Sequence, residues 1–518
     1  MNKKLLLFVS ALIVLEFFSF GLTAGKRGFY HDDWVHLDFL SNASAQGALD
    51  TLRVHLPRGH WSRPVLMAYI PLFYSAGGLN PAPYQAGILL FECLTGLLLF
   101  FALREATRQD AASWIAAAVF LVIPNRACTH FWWIVSVSSF STMLTAAAFY
   151  LHVLGVQRRG RSYAWMSASC YLLAMLTYEA TMGWIAWIAV YELWRRKGEG
   201  ILRENLFSAG RAMLPYAAAF SVLFLYQRVV IPALLPESFA KHIYFSPRHF
   251  IVTYVNAAYC VTVGPLAAGL SAIWWAIGGL EPIRWALLTA AGTAAVWAVR
   301  KPGRETADAP EYFFYASAAV VFVASYAPYA VSGQYAPDMA SLMSRINTGG
   351  AFAAGLAAAG LFLSLSSGGR LRIALRNVLF PALLVLFSAA NWKDSDDWEK
   401  SWRLQRDVMR KIAPHVAGLP ARRVSLLLAG VPNTIGTAVV FDSYWDFAAY
   451  LRVATGRRDL DANVISHRIV HDGKSVREES GGQVLRRHAY DNLWVYRYDL
   501  DRLIFTGNEP AFREALAL

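Results

Sequence analysis

Residues 84–103 read YQAGILLFECLTGLLLFFAL, twenty positions with a single charge, Glu92. Arg104 and Arg108 follow directly. A helix of that length rises about 30 Å, the thickness of the hydrocarbon core of a bilayer. The run therefore reads as a membrane span, and its arginines as a cytoplasmic flank. Residues 347–366 repeat the pattern with no charge at all. Composition points the same way. Of 518 residues, 56% are apolar and 16% charged, against about 45–50% and about 25% in soluble domains. This excludes a water-soluble enzyme, a disordered chain, a coiled coil and a disulfide-stapled secreted module.

Working outward, apolar runs at 5–24, 84–103, 109–126, 132–155, 163–178, 180–194, 212–231, 311–331, 347–366 and 376–391 predict further spans. Lys3 and Lys4 place the N-terminus in the cytoplasm. The loops carrying Arg158, Arg159 and Arg161, then Arg195, Arg196 and Lys197, then Arg300, Lys301 and Arg304, and finally Arg370, Arg372 and Arg376, fall on the same side. Loop 232–249 is then outside and 300–310 inside, so 250–299 crosses once or three times, with breaks at Gly264-Pro265 and Glu281-Pro282. The expected total is 11 or 13 crossings. Asn2-Lys3-Lys4 and 5–20 also resemble a signal peptide, but Leu22 is large for a cleavage motif at Leu22-Thr23-Ala24. An uncleaved first span is expected.

The exterior face then collects loops 25–83, 124–131, 232–249 and 332–346, the break near Glu179, and the tail 392–518. The net charge is +13, and the tail, with 19 Lys+Arg against 17 Asp+Glu, holds little of it. Basic residues lie in short loops between spans, unlike the basic face of a nucleic-acid binder. Four scattered cysteines without a CxxC suggest neither zinc nor thiol redox chemistry. In the tail, Trp398, Trp402, Met409, Ile412 and Val416, with Gln405, recur on one helical face. Val424–Leu428 and Leu493–Tyr498 read as strands and Tyr444–Ala454 as a helix. The expected fold is a polytopic α-helical membrane protein, 1–391, with a small exterior α/β domain, 392–518.

Candidate chemistry sits in the exterior loops. Loop 25–83 begins Tyr30-His31-Asp32-Asp33-Trp34-Val35-His36-Leu37-Asp38. Two adjacent carboxylates beside a low-dielectric boundary raise each other's pKa if both stay unpaired. Such an acid serves as a general base on a hydroxyl or as a ligand to a divalent cation; the plainer alternative is a helix-capping turn. If any metal binds, Asp32 and Asp33 are its candidate ligands. Arg63, in His60-Trp61-Ser62-Arg63-Pro64, and Arg58 suit phosphate oxygens, or snorkel to headgroups. Asn125, Arg126 and His130, beside Trp132 and Trp133, either face a polar cavity or mark the interface. Glu179, between two apolar runs, needs a partner or water, or caps the next helix. Arg345, with Lys241, His242, Tyr244 and Arg248, adds anion-binding capacity outside.

In order, these residues resemble the GT-C superfamily of membrane glycosyltransferases. This group includes protein O-mannosyltransferases and lipid A aminoarabinose transferases. The series is Asp32-Asp33 after a first span, Arg63-Pro64, Asn80-Pro81 to Tyr84 opening the second long span, Pro124 to His130 to Trp133, Tyr178-Glu179-Ala180, Arg345 before a late span, and an exterior C-terminal domain. The chain departs from the pattern after the third span, where many relatives carry another acid. It also carries Tyr178 where lysine is expected. The resemblance implies inverting transfer of a sugar from a polyprenyl-phosphate donor to a hydroxyl of a glycan, lipid or protein, at the periplasmic face of a bacterial inner membrane. It implies Asp32 as base with Asp33 orienting it, and Arg63, Arg345 and His130 on the donor phosphate. His36, Asn125, Arg126, Glu179, Tyr244 and Arg248 then line the cavity. Alternatives are a polysaccharide polymerase or ligase, a transporter or flippase with intramembrane acids, and a non-catalytic assembly factor. The inverted repeats common in transporters are not seen.

Overall fold

The computed structural model describes residues 3–42, 50, 62–197, 202–234, 245–279, 311–333, 335–340, 342–420, 424–465, 468–480 and 483–517. Seven helical stretches among them are long and apolar enough to cross a membrane. They are Lys3–Lys26, Ala82–Thr107, Ile134–Arg158, Leu214–Ala233, Glu311–Ser332, Leu342–Ser366 and the apolar part of Arg370–Ala417. The pair Pro247–Val261 and Val263–Ala276, bent by 41°, makes an eighth if it is one broken span. The protein is thus a multi-pass α-helical membrane protein with a strand-containing C-terminal region.

Three expected spans are shorter than a bilayer by length alone. Run 109–126 forms a helix of only 13 residues, Asp110–Val122, which rises about 20 Å. Every residue from Ala111 to Val122 is buried, as in a helix that is apolar all round and lies in the core. Run 163–178 gives the 17-residue helix Arg161–Thr177. Run 180–194 splits into a 3-10 turn, Glu179–Trp184, and an 11-residue helix, Ile185–Arg195. Residues 280–310, on which the parity of 250–299 depends, lie outside the described residues. The described part of loop 25–83 includes the helices Asp32–Asn42 and Pro64–Gly77. Proline at the first position of the second fits a helix start, where its missing N–H has no partner to lose.

The helix of the last span continues past 391. One helix runs 48 residues, Arg370–Ala417, about 70 Å, and carries the chain into the tail. Its C-terminal half buries Trp398, Gln405, Met409, Ile412 and Val416, the face expected from their spacing. The tail contains strands β1 (Val424–Ala429), β2 (Thr434–Ile435), β3 (Ala438–Val439), β4 (Leu460–Val464), β5 (Arg468–His471), β6 (Ser475–Ser480), β7 (Gln483–Ala489), β8 (Leu493–Arg497) and β9 (Arg502–Phe505). The main sheet has order β4-β1-β8-β9, parallel except for β9. Strands β5, β6 and β7 form a separate antiparallel sheet.

The tail docks on the first loop. Helix Asp32–Asn42 packs against helix Tyr444–Thr455. Trp34 stacks on Tyr450 at 3.7 Å and 13°, and its Nε1 donates to Gln405 Oε1 at 3.0 Å. Arg452 pairs with Asp38 at 2.8 Å. Gly28 is needed at this seam, since a Cβ there would lie 2.0 Å from the Trp402 ring.

Candidate active site

The two adjacent aspartates face opposite ways. Asp33 is fully buried. Its Oδ2 accepts the backbone N–H of Tyr30 at 3.0 Å and its Oδ1 that of Ile134 at 2.9 Å. The first bond closes the N-terminus of helix Asp32–Asn42, where unpaired N–H groups need acceptors. The second ties the first loop to the segment after Trp133. Asp33 is therefore a clamp between two loops. Burial pushes its carboxyl up to about 8; the two N–H donors oppose the rise and the charge on Asp32 adds to it.

An unfolded aspartate titrates near ~3.9. A carboxyl raised on folding contributes stability while protonated and loses that contribution as pH rises from about 4 through about 8. Unfolding in detergent is expected to move to lower temperature between about pH 6 and about pH 9, and less so in Asp33→Asn. An equal pH slope in that variant would refute the assignment.

Asp32 is the exposed member of the pair, its side chain 41% accessible. Burial works to raise its pKa, but His31 reverses the effect, and His36 and Arg345 add to the lowering. Asp32 is thus held ionised. His31 Nδ1 lies 2.9 Å from Asp32 Oδ1, and His31 Nε2 lies 3.6 Å from Asp442 Oδ2 of the tail. Burial depresses the imidazole, but Asp32 and Asp442 outweigh it and lift its pKa to about 10. His31 takes a left-handed backbone, φ 45°, uncommon for a residue with a Cβ.

Arg345 sits half-buried between the Trp132 and Tyr335 rings, 5.8 and 5.6 Å from their centres. It also lines a small cleft with Tyr178, Thr181, Trp184, Ser325, Tyr329 and Thr348. The loops around it are stitched together. Asn347 Nδ2 donates to the carbonyls of Asn125 and Asp338, both at 2.7 Å, and the Cys128 N–H donates to Ser344 Oγ at 3.2 Å. Arg345 thus links the two places: its charge acts on Asp32, and its side chain lines the cleft, which Asp32 itself does not.

The other expected residues lie differently. Arg63 makes a bidentate pair with Glu179, at 2.7 and 2.8 Å, and stacks over Tyr178 at 4.6 Å. Its fork is committed to a carboxylate, which also gives Glu179 the partner that its position demands. The Tyr178 hydroxyl, 3.0 Å from that of Tyr329, links this pair to the cleft. Arg126 is wholly buried and donates to both oxygens of Glu92 at 2.7 Å and to the Phe120 carbonyl at 2.9 Å. It faces the core. Asn125 is also buried, and its side chain donates to the Cys260 carbonyl at 3.0 Å. His130 stacks flat on Phe20 at 3.7 Å, with Nδ1 4.0 Å from Glu16. It packs inside the bundle instead of beside Arg345. His36 lies on the half-buried side of helix Asp32–Asn42 and acts on Asp32 through its charge. Arg248 is exposed in the first turn of Pro247–Val261. Tyr244, Lys241, His242 and Arg58 lie outside the described residues.

Both oxygens of Asp33 are taken by N–H groups, and the described residues hold no group of three or more acidic, histidine or cysteine ligands. Sequence reasoning missed Asp442 and Trp445. The latter is 36% exposed and stands edge-on to His31 at 5.4 Å. Their only signal was a position at the start of a predicted helix.

No family model matches the chain, and no curated protein matches it. Among solved structures it is similar to ArnT from Cupriavidus metallidurans bound to undecaprenyl phosphate. That likeness has 14% identity and a TM-score of 0.44, and covers 86% of this chain and 84% of that one. It is also similar to the Archaeoglobus fulgidus oligosaccharyltransferase in complex with Zn and sulfate. There the identity is 12% and the TM-score 0.43, over 87% of this chain and 61% of that one.

Proposed function

We propose that this protein is an integral membrane glycosyltransferase that moves a sugar from a polyprenyl-phosphate donor to an acceptor hydroxyl. One observation carries the reading. An ionised, partly accessible carboxylate, Asp32, stands within the field of a guanidinium, Arg345, and that arginine lines a small cleft between membrane helices. In this reading Asp32 takes the proton of the acceptor hydroxyl. The freed oxygen forms a bond to the anomeric carbon, and the bond from that carbon to the phosphate oxygen breaks. The polyprenyl phosphate leaves with the electron pair, and Arg345 meets the charge it gains. Attack from the face opposite the leaving group inverts the sugar. The ordered motifs of 1–391 support the same class. The site faces the exterior of a bacterial inner membrane, with the N-terminus in the cytoplasm.

Lipid and glycan mass spectrometry of a deletion strain against its parent tests this. A glycan or glycolipid should lose a sugar and regain it when the full chain is restored. Loss of a whole polymer would point to a polymerase or ligase. Unchanged glycans, with a lipid-linked precursor shifted between leaflets, would replace the reading with a flippase.

A further inference from the structure

We propose that Asp442, supplied by the tail, is a positioning residue for Asp32 and acts through His31. The inference rests on the reading of Asp32 as the base and gives the C-terminal domain a part in the site.

The imidazole is held on all sides. His31 is 4% exposed and is walled by Trp132 at 5.0 Å and 72° and by Trp445 at 5.4 Å and 88°. Its two nitrogens meet carboxylates from two ends of the chain, Asp32 from the first loop and Asp442 from the tail. The two contacts, at 2.9 and 3.6 Å, are ion pairs of the imidazole. Asp442 is itself fixed by the start of helix Tyr444–Thr455. Its N–H donates to Asp446 Oδ2 at 2.7 Å, and Ser443 Oγ donates to its Oδ2 at 3.2 Å. Asp446 is buried and accepts from the N–H of Ser443 as well. A capped helix end thus holds a carboxylate against the ring that holds Asp32.

Docking does not account for this arrangement. The Trp34–Tyr450 stack and the Arg452–Asp38 pair already join the same two helices. The left-handed backbone at His31 adds a cost that packing alone does not require, and such strain concentrates at functional positions. Asp32, with its side chain 41% accessible, has His31 as its close ionic partner.

The test is a double-mutant cycle in the deletion strain, read as the rate at which the missing glycan returns after induction, normalised to protein in the membrane. Asp442→Asn is expected to slow the return about 10- to 100-fold, the range that orienting partners carry. His31→Asn, chosen because Asn tolerates positive φ, should slow it at least as much. The double variant should be no slower than His31→Asn alone, since residues acting in series are not additive. Asp442→Glu, which keeps the charge, should recover most of the rate. Multiplying losses in the double variant, or a full rate in Asp442→Asn, would overturn the inference. If His31→Asn does not accumulate, Asp442→Asn against Asp442→Glu still decides, because a loss that Glu does not restore also rejects it. Asp32→Asn is run alongside. A normal rate in that variant sinks the reading of Asp32 itself, whereas loss there with a normal Asp442→Asn sinks only the role of the tail.

Discussion

Asp32→Asn is expected to lower sugar transfer by about 10²- to 10⁴-fold, the contribution of a positioned general base. Asparagine has nearly the same shape but cannot take a proton. The side chain is 41% accessible, so the variant should insert and accumulate normally. The measurement is the return of the missing glycan in the deletion strain, beside the amount of protein in the membrane. A normal rate at normal abundance would remove Asp32 from the chemistry. Asp33→Asn should behave differently despite being its neighbour. That residue accepts two backbone N–H bonds from inside the fold, so its loss is read first in stability and only through it in rate.

The second large effect is expected at Arg126→Leu. Arg126 and Glu92 are both fully buried, and the guanidinium reaches both carboxylate oxygens at 2.7 Å. Ser139 donates to the same carboxylate. Removing one member of a buried pair strands the other charge and costs about 3–5 kcal/mol, whereas replacing both by apolar residues is often neutral. Arg126→Leu should therefore unfold at much lower temperature in detergent and accumulate poorly. Glu92→Leu with Arg126→Leu should recover most of the loss. Equal melting temperatures for Arg126→Leu and the parent protein would contradict a structural role. They would also return Arg126 to the candidates for ligand binding.

The helix–helix seams set these values. By sequence, loop 124–131 reads either as a strip of interface or as polar residues facing a cavity. Instead Arg126, Asn125 and His130 each turn into the bundle, because each finds a partner there: Glu92, the Cys260 carbonyl and the Phe20 ring. A polar group at membrane depth takes whatever partner lowers its desolvation cost. Arg63 follows the same rule with Glu179. Among the described arginines, Arg345, beside the Trp132 and Tyr335 rings, is the one that lines the cleft.

The long apolar helices such as Ala82–Thr107 and Leu342–Ser366, the tail helix at Tyr444–Thr455 and the strands at Val424–Ala429 and Leu493–Arg497 are legible in the sequence alone, whereas the short helices Asp110–Val122 and Ile185–Arg195 are not. Apolar length and periodicity are local properties, and a chain that carries them has few other ways to bury its surface. Which polar residues share a site was decided only by tertiary structure. His31 meets Asp442, Asp33 meets the Ile134 N–H, and Arg63 meets Glu179, each across a long stretch of chain. No spacing encodes such pairs, because they depend on where whole helices cross. The two neighbouring aspartates make the division plain. They are alike by sequence, yet the turn of a helix sends one carboxylate into the fold and leaves the other open to solvent.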